Sequence, residues 1–432
     1  MTETAFKSDF LKTLQDRGYI HQITHPTELD EAASKGIVTG YIGFDATAPS
    51  LHVGSLIQIM MLRRLQQAGH KPVVLMGGGT TRVGDPTGKD TSRPQLTDET
   101  IQANIDGIKK VFAKFLTFGD GPIDAIMLNN DDWLSQYGYV QFLRDYGTHF
   151  TINRMLAYDS VKLRLEREQP MTFLEFNYML MQSVDFLELN RAHNVTLQMG
   201  GSDQWGNITS GVDLVRRVDQ KASFGLTTPL LTTASGGKMG KTAGGAIWLN
   251  EEQLSPYDYW QFWRNVEDAD VGRFMRLFTD LTLEEIAAYE AMEGAQINEA
   301  KKALADATTT MMHGEEAAQK ARRTAEEAFE KGNATVDLPT EVLLWAGSAE
   351  EQERNGGVPF TFRSAEALLK ASGLSPSIGQ ARKKISNEGV WINDTLIKDP
   401  SHSFSIEDRD HDLDAFQIRL GKRGQIVLVK PV

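Results

Sequence analysis

Cysteine is absent from all 432 residues, which excludes disulfides and any cysteine-ligated zinc. No apolar run is long enough to cross a bilayer as a helix. The segment from Met1 to Gly18 carries Glu3, Lys7, Asp9, Lys12, Asp16 and Arg17 where a secretory signal would be apolar. A cytoplasmic chain without membrane partners is therefore expected. Internal repeats and low-complexity blocks are also missing. An excess of positive charge is lacking too: the net charge of −13 argues against indiscriminate nucleic-acid binding over the whole surface.

What is present is an ordinary globular composition, 41% hydrophobic and 24% charged, with length for two or three domains. The acidity is uneven. From Thr361 onward 11 Lys+Arg face 9 Asp+Glu, a surplus of two that leaves −15 on the rest. A near-neutral tail on an acidic body permits a local RNA-binding face.

The first half alternates strands with helices. Gly40 to Phe44 reads as a strand. Leu56, Ile59, Met60 and Leu65 recur at helical spacing until Gly69, and Pro72 to Met76 reads as the next strand. This order predicts a parallel sheet with ligands at the strands' carboxyl ends. Val195 to Met199 is a later strand running into Gly200-Gly201. The expected fold is α/β: a Rossmann-like catalytic domain over residues 1–245, a helical domain over 246–335 and a linker over 336–360. A small α+β domain follows over 361–432. In it, Ser364–Ser372 and Ser377–Asn387 read as helices, and Asn393-Asp394 joins a plausible hairpin.

Three constellations carry chemistry. Leu51-His52-Val53-Gly54-Ser55 lies where the first strand hands over to a helix, and free N–H groups at a helix start favour an anion. Gly237-Lys238-Met239-Gly240-Lys241-Thr242 puts two lysines on a glycine-flanked loop; it is no P-loop, because that spacing needs glycine where Ser235 stands. Thr172 with Glu175 makes a capping box that opens a helix from Phe173 to Leu187. On that helix Tyr178, Gln182 and Asp185 fall at i, i+4 and i+7, one face among apolar neighbours. A carboxylate there needs a partner, either in an internal network or in a small polar ligand.

The first two motifs together resemble the HIGH and KMSKS elements of class I aminoacyl-tRNA synthetases, and the surrounding residues resemble the bacterial tyrosyl-tRNA synthetases. The resemblance covers nearly the whole chain and thins from about Ala295 to Pro359. It implies that Tyr41 and Asp185 bind a tyrosine phenol, that Asp85, Tyr178 and Gln182 bind its ammonium, and that Gln204 reaches toward the substrate. It implies an ATP site built from Gly43, Asp45, His52, Gly54, Ser55, Gly201, Asp203, Lys238, Lys241 and Thr242, with Ser55 standing where the motif's last histidine would be. The loop of Asp85, with Lys89 and Arg93 beyond it, would face the departing pyrophosphate. Arg382, Lys383 and Lys384, ahead of the Gly389 turn, resemble a small RNA-binding domain shared with a ribosomal protein.

The resulting expectation is a tyrosine–tRNA ligase that makes tyrosyl-adenylate from L-tyrosine and ATP, then esterifies tRNA(Tyr). His52, Thr47, Lys89, Arg93, Lys238 and Lys241 would stabilise the charge that develops as the substrate carboxylate attacks phosphorus. Mg2+ would accompany ATP, with no metal site of the protein's own and no permanent cofactor. A homodimer is what the resemblance implies. The alternatives are a synthetase for another aromatic amino acid such as tryptophan, an ATP-binding protein unconnected to RNA, or a synthetase-like RNA-binding protein without the chemistry.

Overall fold

A computed structural model describes residues 5–86, 96–237, 239–242, 245–329, 361–362, 364–372, 374–375, 377–387, 389–393, 395–402, 404–405, 416–420 and 426–429. The chain divides into two compact units, Met1–Ala318 and Gln319–Val432.

In the first unit, β-branched and apolar runs form β1 (Gln22–Ile23), β2 (Thr39–Phe44), β3 (Lys71–Met76), β4 (Ile126–Asn129), β5 (Leu197–Gly201) and β6 (Phe224–Thr228). They make one sheet in the order β1-β6-β5-β2-β3-β4, parallel except for the antiparallel edge strand β1. Val73 to Met76 of β3 and all of β5 and β6 are buried, as strands covered on both faces require. The order runs outward from β2 to β4 on one side and from β5 to β6 on the other. The switch point thus falls between β2 and β5, where α/β sheets hold their ligands.

Four helices position the site: α1 (Leu56–Gln67), α2 (Asp131–Leu134), α3 (Tyr178–His193) and α4 (Trp205–Asp219). Leu56, Ile59, Met60 and Leu65 all turn their α1 side chains into the core, and Gly69 takes the left-handed φ of +84° that ends the run. Two expectations shift. The strand before Gly200-Gly201 begins at Leu197 and includes both glycines. The capping box of Thr172 and Glu175 is present, but it opens only Phe173–Phe176, and the helix restarts at Tyr178. There the Asn177 N–H is shared between the Phe173 and Leu174 carbonyls, and its side chain donates to Phe173 O.

Beyond the sheet the unit turns helical, with α5 (Pro256–Arg264) packed on α6 (Ile297–His313). Trp260, Trp263, Phe274 and Phe278 fill its core. Lys241–Thr242 (β7) and Gly245–Ala246 (β8) form a short antiparallel pair.

The second unit holds Ala365–Ala371 (α7) and Ile378–Asn387 (α8). Thr361–Phe362 (β9) pairs with Phe404–Ser405 (β12). Val390–Ile392 (β10), Thr395–Ile397 (β11), Phe416–Leu420 (β13) and Ile426–Val429 (β14) form an antiparallel sheet in the order β11-β10-β13-β14. Leu368, Leu369, Ile385, Val390 and Phe416 are its core. The expected hairpin is there, with Asn393 at φ +45°. The expected linker, 336–360, lies outside the described residues.

Candidate active site

A cleft of about 1550 Å³, counting its open mouth, lies at the carboxyl ends of β2 and β5. Small-molecule sites typically occupy roughly 300–1,000 Å³, and the part of this cleft comparable with that range is about 460 Å³. Its walls bring together Tyr41, Gly43, Asp45, Thr47, His52, Gly54, Ser55, Asp85, Tyr178, Gln182, Asp185, Gly201, Asp203 and Gln204.

At one end Asp185 is 2% exposed. Its Oδ2 accepts from Asn130 Nδ2 (2.9 Å) and its Oδ1 from Trp133 Nε1 (2.8 Å). Burial pushes this carboxyl up to about 7, against the two donors, which favour the charged form. Tyr41 projects from β2, its ring packed on Phe186 at 5.4 Å, and its hydroxyl is buried without a hydrogen-bond partner. Burial and the nearby Asp185 charge hold the Tyr41 phenol well above its ordinary pKa, so it stays a donor.

From Asp185 a hydrogen-bonded chain crosses the cleft. Asn130 Nδ2 also reaches Thr80 Oγ1 (3.0 Å), Thr80 Oγ1 donates to Asp45 Oδ1 (2.9 Å), and Tyr178 Oη donates to the same oxygen (3.2 Å). A second cluster faces it. Gln204 Nε2 donates to Asp85 Oδ2 (2.7 Å), while Asn207 Nδ2 donates to both Gln182 Oε1 and Gln204 Oε1 at 3.0 Å. Asp45, Asp85 and Asp185 thus give this end concentrated negative charge and several oxygen acceptors. Such a lining suits an ammonium beside a neutral hydroxyl.

The other end is a backbone construction. His52 Nδ1 accepts from Gly54 N–H (3.0 Å), which leaves Nε2 as the ring's donor nitrogen. A Cβ on Gly54 would stand 2.6 Å from the His52 ring. The lysine loop docks here. Val53 N–H donates to Ile247 O (2.8 Å), Ile247 N–H to Gly240 O (3.1 Å) and Leu249 N–H to Leu51 O (2.9 Å). Gly240 has φ +82°, and a Cβ there would lie 2.8 Å from Gly54 N. Two motifs almost 190 residues apart therefore meet through backbone, the second as a strap over the first. Across the cleft, Gly201 ends β5 and lets the Asp203 carboxylate fold close; a Cβ would meet Asp203 Oδ1 at 2.6 Å.

Lys89, Arg93 and Lys238 lie outside the described residues, as do the side chains of Lys241 and Thr242. In the second unit Arg382 is paired with Glu366 through Nε and Nη2, Lys384 Nζ donates to Leu374 O (2.8 Å), and Lys383 is exposed. The basic triplet is thus less uniform than its sequence suggests.

Sequence reasoning missed Asn130, Trp133, Thr80 and Asn207. Asn130 follows β4 at its carboxyl end, the end of the sheet at which ligands are held, and that position was its one legible signal. Among the described residues no group of three or more His, Cys, Asp or Glu is arranged to hold a metal ion, and no helix is long and apolar enough to cross a membrane.

Residues 34–330 match the family model described as tRNA synthetases class I (W and Y). The chain is 68% identical to the tyrosine–tRNA ligase of Caulobacter sp. (strain K31) over 99% of both chains, and 58% identical to that of Rhodospirillum rubrum over 92% of both. Among solved structures it resembles a C-terminally truncated Aspergillus nidulans mitochondrial tyrosyl-tRNA synthetase (31% identity, TM-score 0.68), over 75% of this chain and 95% of that one. Tryptophanyl-tRNA synthetase from Giardia lamblia shares the fold at TM-score 0.53 and 15% identity. With a parallel sheet, a cleft at its switch point and full-length relatives at this identity, the chain belongs to the class I tRNA synthetases, and within them to the tyrosine–tRNA ligases.

Proposed function

We propose that the cleft activates L-tyrosine with ATP, its carboxylate-lined end taking the amino acid and its glycine-lined end the nucleotide. The observation that carries this reading is the pairing of a buried, partnerless Tyr41 hydroxyl with the buried carboxylate of Asp185. A phenol entering there donates to Asp185 and accepts from Tyr41; phenylalanine leaves the Tyr41 hydroxyl without a partner and brings Asp185 no donor beyond Asn130 and Trp133. Asp85, Tyr178 and Gln182, with Gln204 behind Asp85, receive the ammonium. Gly54 and Gly201 leave space for the nucleotide, and Asp203 accepts from its ribose hydroxyls.

Activation is attack of the tyrosine carboxylate on the α-phosphorus, with pyrophosphate leaving. The nucleophile is already charged, so no protein base is required. The work falls to positioning and to donors that strengthen with developing charge: the His52 Nε2–H, Thr47, and the cations Lys89, Arg93, Lys238 and Lys241. Mg2+ arrives on the ATP phosphates, as a small cation that keeps several waters and binds through substrate phosphates. The second step, esterification of tRNA(Tyr), uses the second unit as an RNA-holding domain. Its support is the exposed Lys383 on α8 beside Arg382.

The chain acts in the cytoplasm as a homodimer. Support for the dimer comes from a run of exposed apolar side chains, including Tyr139, Val140, Ile152, Leu165 and Phe173, the last 66% exposed. Amino-acid-dependent exchange of pyrophosphate into ATP, run across the twenty amino acids, tests the activation reading. Exchange with tyrosine alone is expected, and equal exchange with tryptophan would overturn it. Sedimentation equilibrium tests the dimer.

A further inference from the structure

Two carboxylates of α3, Asp185 and Glu188, stand one helical turn apart. Each accepts from an aromatic side chain of the segment 133–137: Trp133 Nε1 reaches Asp185 Oδ1 at 2.8 Å, and Tyr137 Oη reaches Glu188 Oε1 at 3.0 Å. Helix and segment close a ring through these two bonds. Tyr137 is gripped from a second side by Tyr146, with hydroxyls 3.0 Å apart and rings edge-to-face at 5.5 Å. Glu188 also pairs with Arg191 (3.2 Å), which is bidentate on Asp219. Neither Tyr137 nor Glu188 lines the cleft.

The ring has a physical purpose. Helix α2, which carries Trp133 and begins just after Asn130, has only four residues. A helix so short cannot hold its own geometry against the cost of nucleation. Its donors need anchoring from outside, and the first tether after the helix is the Tyr137 hydroxyl. We propose that the Tyr137–Glu188 pair is a positioning device for amino-acid selection, holding Trp133 and Asn130 in register with Asp185. This rests on the reading that Asp185 receives the substrate phenol.

The groups that face Asp185 are Tyr41 and Asp45 from β2 and its carboxyl end, and Tyr178 and Glu188 from its own helix. Asp85 lies beyond Tyr178, and the donors from the α2 side, Asn130 and Trp133, are neutral. Loosening Trp133 removes a bond that favours the carboxylate, so Asp185 then ionises at higher pH. Removing the Glu188 charge acts oppositely, because a neighbouring anion disfavours that carboxylate. Two variants separate these effects: Tyr137→Phe cuts the tether, and Glu188→Gln keeps an acceptor for Tyr137 but drops the charge.

The test is kcat/KM for tyrosine and for phenylalanine in pyrophosphate exchange, followed from about pH 5.5 to 9, where the profile reports the free enzyme. Tyr137→Phe should lower kcat/KM for tyrosine about 3- to 10-fold near neutrality with kcat within about twofold. It should also move the acid limb to higher pH and reduce tyrosine-over-phenylalanine selectivity. Glu188→Gln should move the limb to lower pH and leave selectivity within about twofold. An acid limb identical to wild type in both variants, or moving the same way in both, overturns the positioning role alone. A wild-type limb that persists in Asp185→Asn overturns the phenol reading, and this inference with it.

Discussion

Tyr41 Oη has no partner, while both oxygens of Asp185 are already engaged by donors. A buried hydroxyl without a partner costs stability in the empty protein, so Tyr41→Phe should leave the melting temperature unchanged or slightly raised. It should cost roughly 1–3 kcal/mol in discrimination against phenylalanine, measured as the ratio of specificity constants. Asp185 adds a pH signature. Its folded pKa, about 7, lies above the ordinary 3.8. The folded state therefore holds the proton more tightly, and this group's contribution is fully present below about pH 4 and lost as pH rises through 7. Thermal or urea unfolding of wild type against Asp185→Asn checks the sign. The wild-type advantage should shrink steadily from pH 4 to 8, by at most about 4 kcal/mol at ~1.4 kcal/mol per pH unit. With the proposed phenol role, tyrosine binding should run the other way, improving as the carboxylate ionises. Tyr178, Gln182 and Asp185 were legible in sequence because one helix puts i, i+4 and i+7 on one face. Asn130 and Trp133 were not, since they reach Asp185 from 55 and 52 residues away through the fold of β4 and α2.

At the scale of elements, the strap that Gly240, Ile247 and Leu249 form over Leu51 to Gly54 is where the two motifs meet. Gly240 is the point of contact, and two effects act together there: a left-handed φ of +82° and a 2.8 Å approach to Gly54 N. Gly240→Ala meets backbone, which cannot swing aside as a flexible side chain would. The variant should slow adenylate formation at least about tenfold and leave equilibrium tyrosine affinity within about twofold, since the strap lies at the end of the cleft proposed for the nucleotide. Stopped-flow activation beside equilibrium tyrosine binding measures both; an equal loss in each would place the strap's effect on the amino-acid end. The sequence announced both motifs but not their contact, because nothing local encodes a backbone bond between Val53 and Ile247. It announced the capping box but not the break at Asn177, and missed α2 because four residues are too few to show a period.

At the scale of the molecule, every residue proposed for activation lies before Gly245, within the unit that ends at Ala318. A chain ending near Gln352 should therefore fold, exchange pyrophosphate at close to the full-length rate and lose most aminoacylation of tRNA(Tyr). Full aminoacylation by the truncated chain at physiological salt would refute an RNA-holding role for the second unit. Within that unit the basic triplet should not behave evenly. Arg382 gives two of its donors to Glu366, and Lys384 is spent on the Leu374 carbonyl, so a phosphate must compete with a partner at either. Lys383 is exposed on the same helix. Lys383→Ala should weaken tRNA binding more than Arg382→Ala or Lys384→Ala, and flatten the slope of log affinity against log salt by about one, as loss of a single phosphate contact requires. Filter binding across a salt series measures that slope, with pyrophosphate exchange unchanged as the control. Equal slopes for wild type and Lys383→Ala would remove α8 from the RNA-binding face.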